Sequence, residues 1–210
     1  MFFILLGPPG GGKGTQGALL ADYFGIPHIS SGNLVRHNPD LTEEERAIVR
    51  EGKLLPDSMM IAIVERTLKK HTNGWILDGF PRTLAQAEAL EKLLTTPPKV
   101  LYFDVREEVI QNRISFRRSC KECDAIYHLQ NAPPRLEGVC DKCQGALFWR
   151  EDDTPEVIKK RLMIYHEKTA PLIAFYKKHK NLLEIDCPEK ASPEEIFSSI
   201  LSKLQSATYN

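Results

Sequence analysis

The sequence has no excess of either charge. Its 28 basic residues balance 28 acidic ones, a formal net charge of zero, whereas a dedicated nucleic-acid binder usually carries a basic excess. It lacks any apolar run near the roughly 18–20 residues of a membrane span. The opening MFFILLG is too short for the apolar region of a signal peptide, and no charged stretch precedes it. A soluble, cytosolic protein is expected, with no membrane partner. There is no internal repeat and no low-complexity tract. No paired carboxylates and no Ser–His arrangement offer themselves for catalysis. Cysteine is scarce, an odd five in 210 residues, and four of the five form two C-x-x-C pairs. In a reducing compartment that pattern favours a metal over disulfides.

What is present is a core-forming chain: 42% of residues are hydrophobic, enough for one domain with small inserts. Five apolar runs read as strands: FFILL (2–6), IPHI (26–29), WILD (75–78), KVLYFDV (99–105) and LLEID (182–186). Helical patterns lie between them. GTQGALLADYF is read with Leu19, Leu20, Tyr23 and Phe24 inward. Thr42 and Glu45 form a capping box ahead of EEERAIVREG. TLAQAEALEKLL (83–94) and REEVIQNRISFRR (106–118) have helical spacing. PEVIKKRLMIYHEKTAPLIAFYKKH (155–179) reads as a long helix kinked at Pro171, and Ser192, Pro193 and Glu195 open a last one. Strands alternating with helices predict an α/β fold with a parallel sheet. Two segments break the alternation, 30–55 and 117–153. Both read as insertions on the ligand-bearing edge.

GPPGGGKGT follows the first strand and opens the first helix, the context a phosphate-binding loop requires. Glycines let backbone N–H groups turn around phosphate oxygens, Lys13 supplies charge and the helix N-terminus its dipole. The usual Ser or Thr after the lysine is replaced by Gly14, with Thr15 one place later. Magnesium would then be held by the nucleotide and waters, with Asp78 at the end of WILD as an acceptor through water.

Arg113, Arg117 and Arg118 precede the cysteine-rich segment, Arg150 and Arg161 follow it, and Arg36 and Arg82 lie in or after the other insertion. Phosphoryl transfer needs positive charge, alignment and exclusion of water rather than covalent work by the protein. Guanidinium forks match phosphate oxygens well, so an insert carrying arginines at both ends suits a lid. Cys120, Cys123, Cys140 and Cys143 have the spacing C-x2-C-x16-C-x2-C, which suits a closed, structural zinc site. A lid of about 35 residues cannot bury a useful core, and a metal supplies local folding energy instead. Cys187 falls outside the pattern and reads as an ordinary buried thiol. Of the six histidines, only His128 is a candidate to approach a nucleotide.

Together these residues resemble adenylate kinases, in the long bacterial form with a zinc-bearing lid. The resemblance is carried by GPPGGGKGTQ (7–16), ISSGNLVR (29–36), GKLLPD (52–57), LDGFPRTLAQA (77–87), RISFRR (113–118), the two C-x-x-C pairs, REDD (150–153) and KKRL (159–162). It implies a P-loop nucleoside-monophosphate kinase fold with a central five-stranded parallel sheet. The core would be 1–29, 56–116 and 154–210, the monophosphate-binding segment 30–55 and the lid 117–153. The implied reaction is reversible transfer of the γ-phosphoryl group from MgATP to AMP, giving two ADP, with Mg2+ and structural Zn2+, by a monomer.

By the same resemblance Gly10, Gly11, Gly12, Lys13, Gly14 and Thr15 cradle ATP phosphates. Arg113 stacks on the ATP adenine, and Ile126 and Tyr127 approach ATP from the lid. Ser31, Arg36, Lys53, Leu54, Leu55, Gly79, Phe80, Pro81 and Arg82 hold AMP, with Gln86 on the adenine edge. Arg117, Arg150 and Arg161 surround the phosphates, Arg150 and Arg161 also touching AMP. With Lys13 and Arg82 they form the implied catalytic set.

The sequence departs from the family pattern in carrying Ser31 for Thr, Asn33 for Asp, a shortened 30–55 segment and Glu189 where a basic residue is frequent. Two other readings predict different outcomes. A related kinase would prefer UMP, CMP or GMP. A zinc-ribbon nucleic-acid binder would carry basic and aromatic residues on the ribbon, where only Arg135 is firmly basic between Cys123 and Cys140.

Overall fold

A computed structural model describes residues 1–206. Five parallel strands form the central sheet: β1 (Phe2–Leu6), β2 (His28–Ser30), β3 (Trp75–Asp78), β4 (Lys99–Asp104) and a last strand, Leu182–Asp186, at one edge. Their spatial order places β2 at the other edge, then β3, β1, β4 and the last strand. The chain therefore winds one way from β1 and then the other, and the carboxyl ends of strands at such a reversal form a crevice.

The strands are near-continuous apolar runs because the sheet is covered on both faces. Alternate residues serve alternate faces. Phe3, Leu5, Ile76, Leu101, Phe103 and Ile185 enter one core cluster, whereas Ile4, Leu6, Trp75, Leu77 and Val100 enter the other. The first cluster is covered by α1 (Lys13–Phe24), α6 (Glu107–Ser115), α7 (Pro155–Ile164) and α9 (Pro193–Ser206). The second is covered by α2 (Ser31–Arg36), α4 (Asp57–Leu68), α5 (Leu84–Leu93) and α8 (Pro171–Lys178), with α3 (Glu43–Arg50) packed at its margin.

The capping box at α3 is present, with Thr42 Oγ1 accepting from Glu45 N–H and the Glu45 carboxylate accepting from Thr42 N–H. Ser192 and Glu195 form the same reciprocal pair ahead of α9. Several expectations need correction. Tyr23 is 57% exposed rather than inward, because α1 turns Gln16, Gly17 and Leu20 to the core instead. Helix α4 has no counterpart in the sequence reading. Helix α6 ends at Ser115, so Arg117 and Arg118 lie on a strand, β5 (Arg117–Cys120).

The predicted kink at Pro171 takes the form of a π-helical turn over Tyr165–Thr169, with Ala170 N–H donating to the Tyr165 carbonyl. Pro171 has no N–H with which to continue the ordinary ladder, and it starts α8 instead. The turn aims Thr169, whose hydroxyl donates to the Arg82 carbonyl at 2.9 Å.

Residues 117–149 form a separate antiparallel sheet in which β5 is flanked by β6 (Ile126–His128) and β7 (Leu147–Phe148). The last strand of the central sheet is accordingly β8 (Leu182–Asp186). Within 117–149 the buried apolar residues are Cys120 and Cys140 alone.

Leu101 is fully buried in β4 at the middle of the sheet. Leu101→Ala should destabilise the protein by about 2–5 kcal/mol, the usual range for a large core truncation. Urea unfolding followed by circular dichroism measures it.

Candidate active site

One cavity of about 670 Å³ opens at the carboxyl ends of the central strands, within the size range of ligand pockets. Its walls come from the loop after β1, from the 30–55 segment, from the end of β3 and from the small sheet of residues 117–149. Four separated stretches of chain therefore converge on one space.

The loop after β1 takes its shape from glycine. Gly10 has φ of 73°, and a Cβ there would sit 2.6 Å from Ile114 Cγ1. The departure at Gly14 has a steric reason: a Cβ at that position would lie 2.8 Å from Ile126 Cδ1 of β6. A serine or threonine directly after Lys13 would displace the Ile126 methyl end that covers the loop. Lys13 Nζ donates to the carbonyls of Gly7 at 2.9 Å and Pro8 at 2.7 Å. Burial lowers the Lys13 pKa to about 8, helped by the charges of Arg82, Arg161 and Arg117 and opposed by Asp78.

Asp78 lines the same cavity at the end of β3. Burial would raise its pKa, but the neighbouring His28 imidazole and the charges of Lys13 and Arg82 outweigh burial and hold it below the usual value. His28 Nε2 lies 3.4 Å from Asp78 Oδ2. The ring occupies space that only Gly17 leaves open, since a Cβ on residue 17 would meet His28 Nε2 at 2.5 Å.

The arginines divide by how they are held. Arg117 Nε donates to Asp153 Oδ2 at 2.9 Å, and its Nη2 donates to Oδ1 of the same carboxylate. Arg161 Nη1 reaches Asp152 Oδ2 at 2.9 Å and Asp153 Oδ1 at 3.2 Å. Arg82 is anchored at Nε by the Gly79 carbonyl at 2.7 Å, and Arg150 at Nε by the Ser119 hydroxyl at 2.7 Å. Arg36 bonds the Asn33 amide, so Asn33 keeps a hydrogen bond there without offsetting the charge. Burial lowers the pKa of Arg82 to about 10, with Arg161 adding to the effect, and lowers Arg150 to about 9, with Arg117 and Arg36 adding. Arginine at a phosphate site stays protonated. Both shifts reflect burial and neighbouring cations outweighing the nearby aspartates.

Gly10 to Thr15, Arg36, Lys53, Leu54, Asp78, Gly79, Pro81 and Arg82 line the cavity, as do Arg113, Arg117, Ile126, Tyr127, Arg150 and Arg161. Ser31, Leu55, Phe80 and Gln86 do not; all four are buried behind its wall. Ser31 Oγ donates to the Gly79 carbonyl at 2.7 Å. Gln86 Nε2 donates to Asp57 Oδ1 at 2.7 Å, and its Oε1 accepts from Arg82 N–H at 2.8 Å. His128 lines the cavity, and its Nδ1 accepts from Asn131 N–H at 3.0 Å. That bond places the ring proton on Nε2, which is buried without a hydrogen-bond partner among the described residues.

The sequence reading missed Ser119, Asp57 and Thr169 as supports of the site. It quoted REDD without a role for Asp152 and Asp153. Three acids directly after Arg150, Glu151 to Asp153, were the available signal.

The profile of the family described as adenylate kinase matches residues 5–181. The chain belongs to the adenylate kinase family. An adenylate kinase of Caldicellulosiruptor saccharolyticus is 48% identical over 193 residues, covering 87% of this chain and 89% of that one. Adenylate kinases of Kosmotoga olearia and Clostridium tetani are 44% and 42% identical, each aligned over at least 95% of both chains. The expected α/β fold with a five-stranded parallel sheet is the one observed, and the chain is an enzyme of the adenylate kinase type.

With Lys13 as a ligand of ATP phosphate, the role its phosphate-loop motif implies, the sign of a pH effect is fixed. The kcat/KM for MgATP should fall as pH rises through about 8, where the free enzyme loses the Lys13 proton. The kcat should hold to higher pH, because bound phosphate favours the charged lysine. Initial rates at low and saturating MgATP across that range separate the two. A flat kcat/KM would mean that Lys13 stays charged.

Proposed function

We propose that this chain transfers the γ-phosphoryl group of MgATP reversibly to AMP, giving two ADP, with the cavity cations as the catalytic set. The observation that carries the proposal is the convergence of Lys13, Arg82, Arg117, Arg150 and Arg161 on one cavity, neutralised in part by Asp78, Asp152 and Asp153. Such a site favours a phosphoryl group whose negative charge is spread over its oxygens in the transition state. The loop Gly10–Thr15 and Arg113 would take ATP on one side, with Ile126 and Tyr127 above it. Arg36, Lys53, Leu54 and Gly79–Arg82 would take AMP on the other.

Gln86 would read the adenine edge. One amide hydrogen and one lone pair of its side chain are uncommitted. In this proposal residues 30–55 and 117–153 are the two moving parts. They exclude water from the transfer when both are closed.

The donor sets fit two metals. Asp78 is ionised and lines the cavity, which suits an acceptor for water on magnesium; the ion would supply charge on the ATP phosphates. The Sγ atoms of Cys120, Cys123, Cys140 and Cys143 all lie within 4.8 Å of one another. The shorter separations are 3.4–3.6 Å, close to the tetrahedral edge expected for Zn–S bonds of about 2.3 Å. Zinc would hold the lid together without entering the chemistry.

A monomer in the cytoplasm, with no nucleic-acid partner, completes the proposal. No helix among the described residues is long and apolar enough to cross a membrane.

The direct test is transfer from MgATP to AMP, UMP, CMP and GMP, with ADP disproportionation run in reverse. Selective transfer to AMP is expected, and preference for another monophosphate would remove the role given to Gln86. Stripping the metal with a chelator should lower the melting temperature. An unchanged melting temperature would end the assignment of zinc as the lid's support.

A further inference from the structure

Strand β5 is four residues long and runs from a cavity arginine to a metal-type cysteine, Arg117–Arg118–Ser119–Cys120. Side chains alternate along a strand, so Arg117 and Ser119 share one face while Arg118 and Cys120 share the other. Ser119 is 1% exposed. A hydroxyl so buried is costly unless it is hydrogen-bonded, and its partner is Arg150 Nε at 2.7 Å. Arg150 is itself 9% exposed and lines the cavity.

The way Arg150 is held differs from the way its neighbours are. Arg117 is gripped by the Asp153 carboxylate through two nitrogens, and Arg161 is bonded to Asp152 and Asp153 through Nη1. A carboxylate partner offsets much of a guanidinium's charge. Arg150 has one side-chain hydrogen bond among the described residues, and its acceptor is neutral. Its terminal nitrogens remain uncommitted and its charge is not cancelled by a direct ion pair. Arg82 is held in the same manner, at Nε by a carbonyl.

We propose that Ser119 is a positioning residue for the transfer. By accepting the Nε–H of Arg150, it fixes the plane of the guanidinium and turns the two-nitrogen fork toward the phosphates with its full charge. The same strand ends at Cys120, so the cysteine cluster that orders β5 also orders this hydroxyl. The proposal rests on Arg150 acting at the phosphates, and the experiment keeps the two ideas apart.

Ser119→Thr and Ser119→Val place nearly equal volumes at the site and differ in one hydroxyl. Steady-state kinetics with MgATP and AMP should show Ser119→Thr within about threefold of the parent, whereas Ser119→Val and Ser119→Ala lose about tenfold in kcat, as expected when a hydrogen bond to a charged group is removed. KM for either nucleotide should move by less than about threefold, because the aligned fork matters most for charge developing in the transition state. Melting temperatures of the Thr and Val variants identify any packing loss common to both.

Equal kcat for the Thr and Val variants would overturn the proposal, whether both were active or both impaired. Arg150→Ala tests the underlying reading. If it retains near-parental kcat, Arg150 is not at the phosphates; if it is impaired while Ser119→Val is not, only the role of Ser119 fails.

Discussion

Everything in this molecule is arranged around positive charge that has been taken out of water. Lys13, Arg82, Arg150 and Arg161 are enclosed beside one cavity, and burial is the largest influence opposing each charge. Like charges at this density repel in a medium that screens them weakly. The fold tolerates them by interleaving carboxylates. Asp78 stands at the end of β3, and Asp152 and Asp153 stand in the 3-10 turn after β7. Charge that remains uncancelled attracts polyphosphate.

This constraint explains the division of labour among the arginines. Those paired to aspartates, Arg117 and Arg161, tie the ends of the 117–153 segment to helix α7. Those anchored at Nε by neutral oxygens, Arg82 and Arg150, keep their forks available. An aspartate in place of the Gly79 carbonyl or the Ser119 hydroxyl would hold the guanidinium as well and weaken it as a ligand for phosphate. The identity of the anchoring atom, not only its distance, therefore belongs to the chemistry.

The small sheet of residues 117–149 faces the opposite difficulty. It has almost no apolar interior, since Cys120 and Cys140 are its only buried apolar residues. A segment of that size cannot stay folded on hydrophobic burial, and four convergent thiols take the place of a core. It meets the phosphate loop through Ile126, which occupies the space over Gly14. The missing hydroxyl after Lys13 and the apolar residue on the small sheet are thus two sides of one contact.

The sequence by itself determined the elements whose cause is local. Strands buried on both faces wrote themselves as unbroken apolar runs, a capping box as Thr42 and Glu45, the phosphate loop as glycines with one lysine, and the cysteine cluster as two C-x-x-C pairs. Matching motifs along most of the chain sufficed to place it among adenylate kinases. Whatever depended on residues distant in sequence was decided by tertiary structure. Helix α4 was hidden because its apolar stripe gains meaning only against α5. Tyr23 faces solvent because Gln16 and Gly17 take the inner face of α1. Gln86 was legible as a polar residue in LDGFPRTLAQA but not as one bonded to Asp57, 29 residues away. Ser119 looked like filler between an arginine and a cysteine; only the fold brings Arg150, 31 residues later, to its hydroxyl. Propensity and motif are properties of neighbours along the chain, whereas the partner of a buried polar group is set by which strands and helices the core has already packed together.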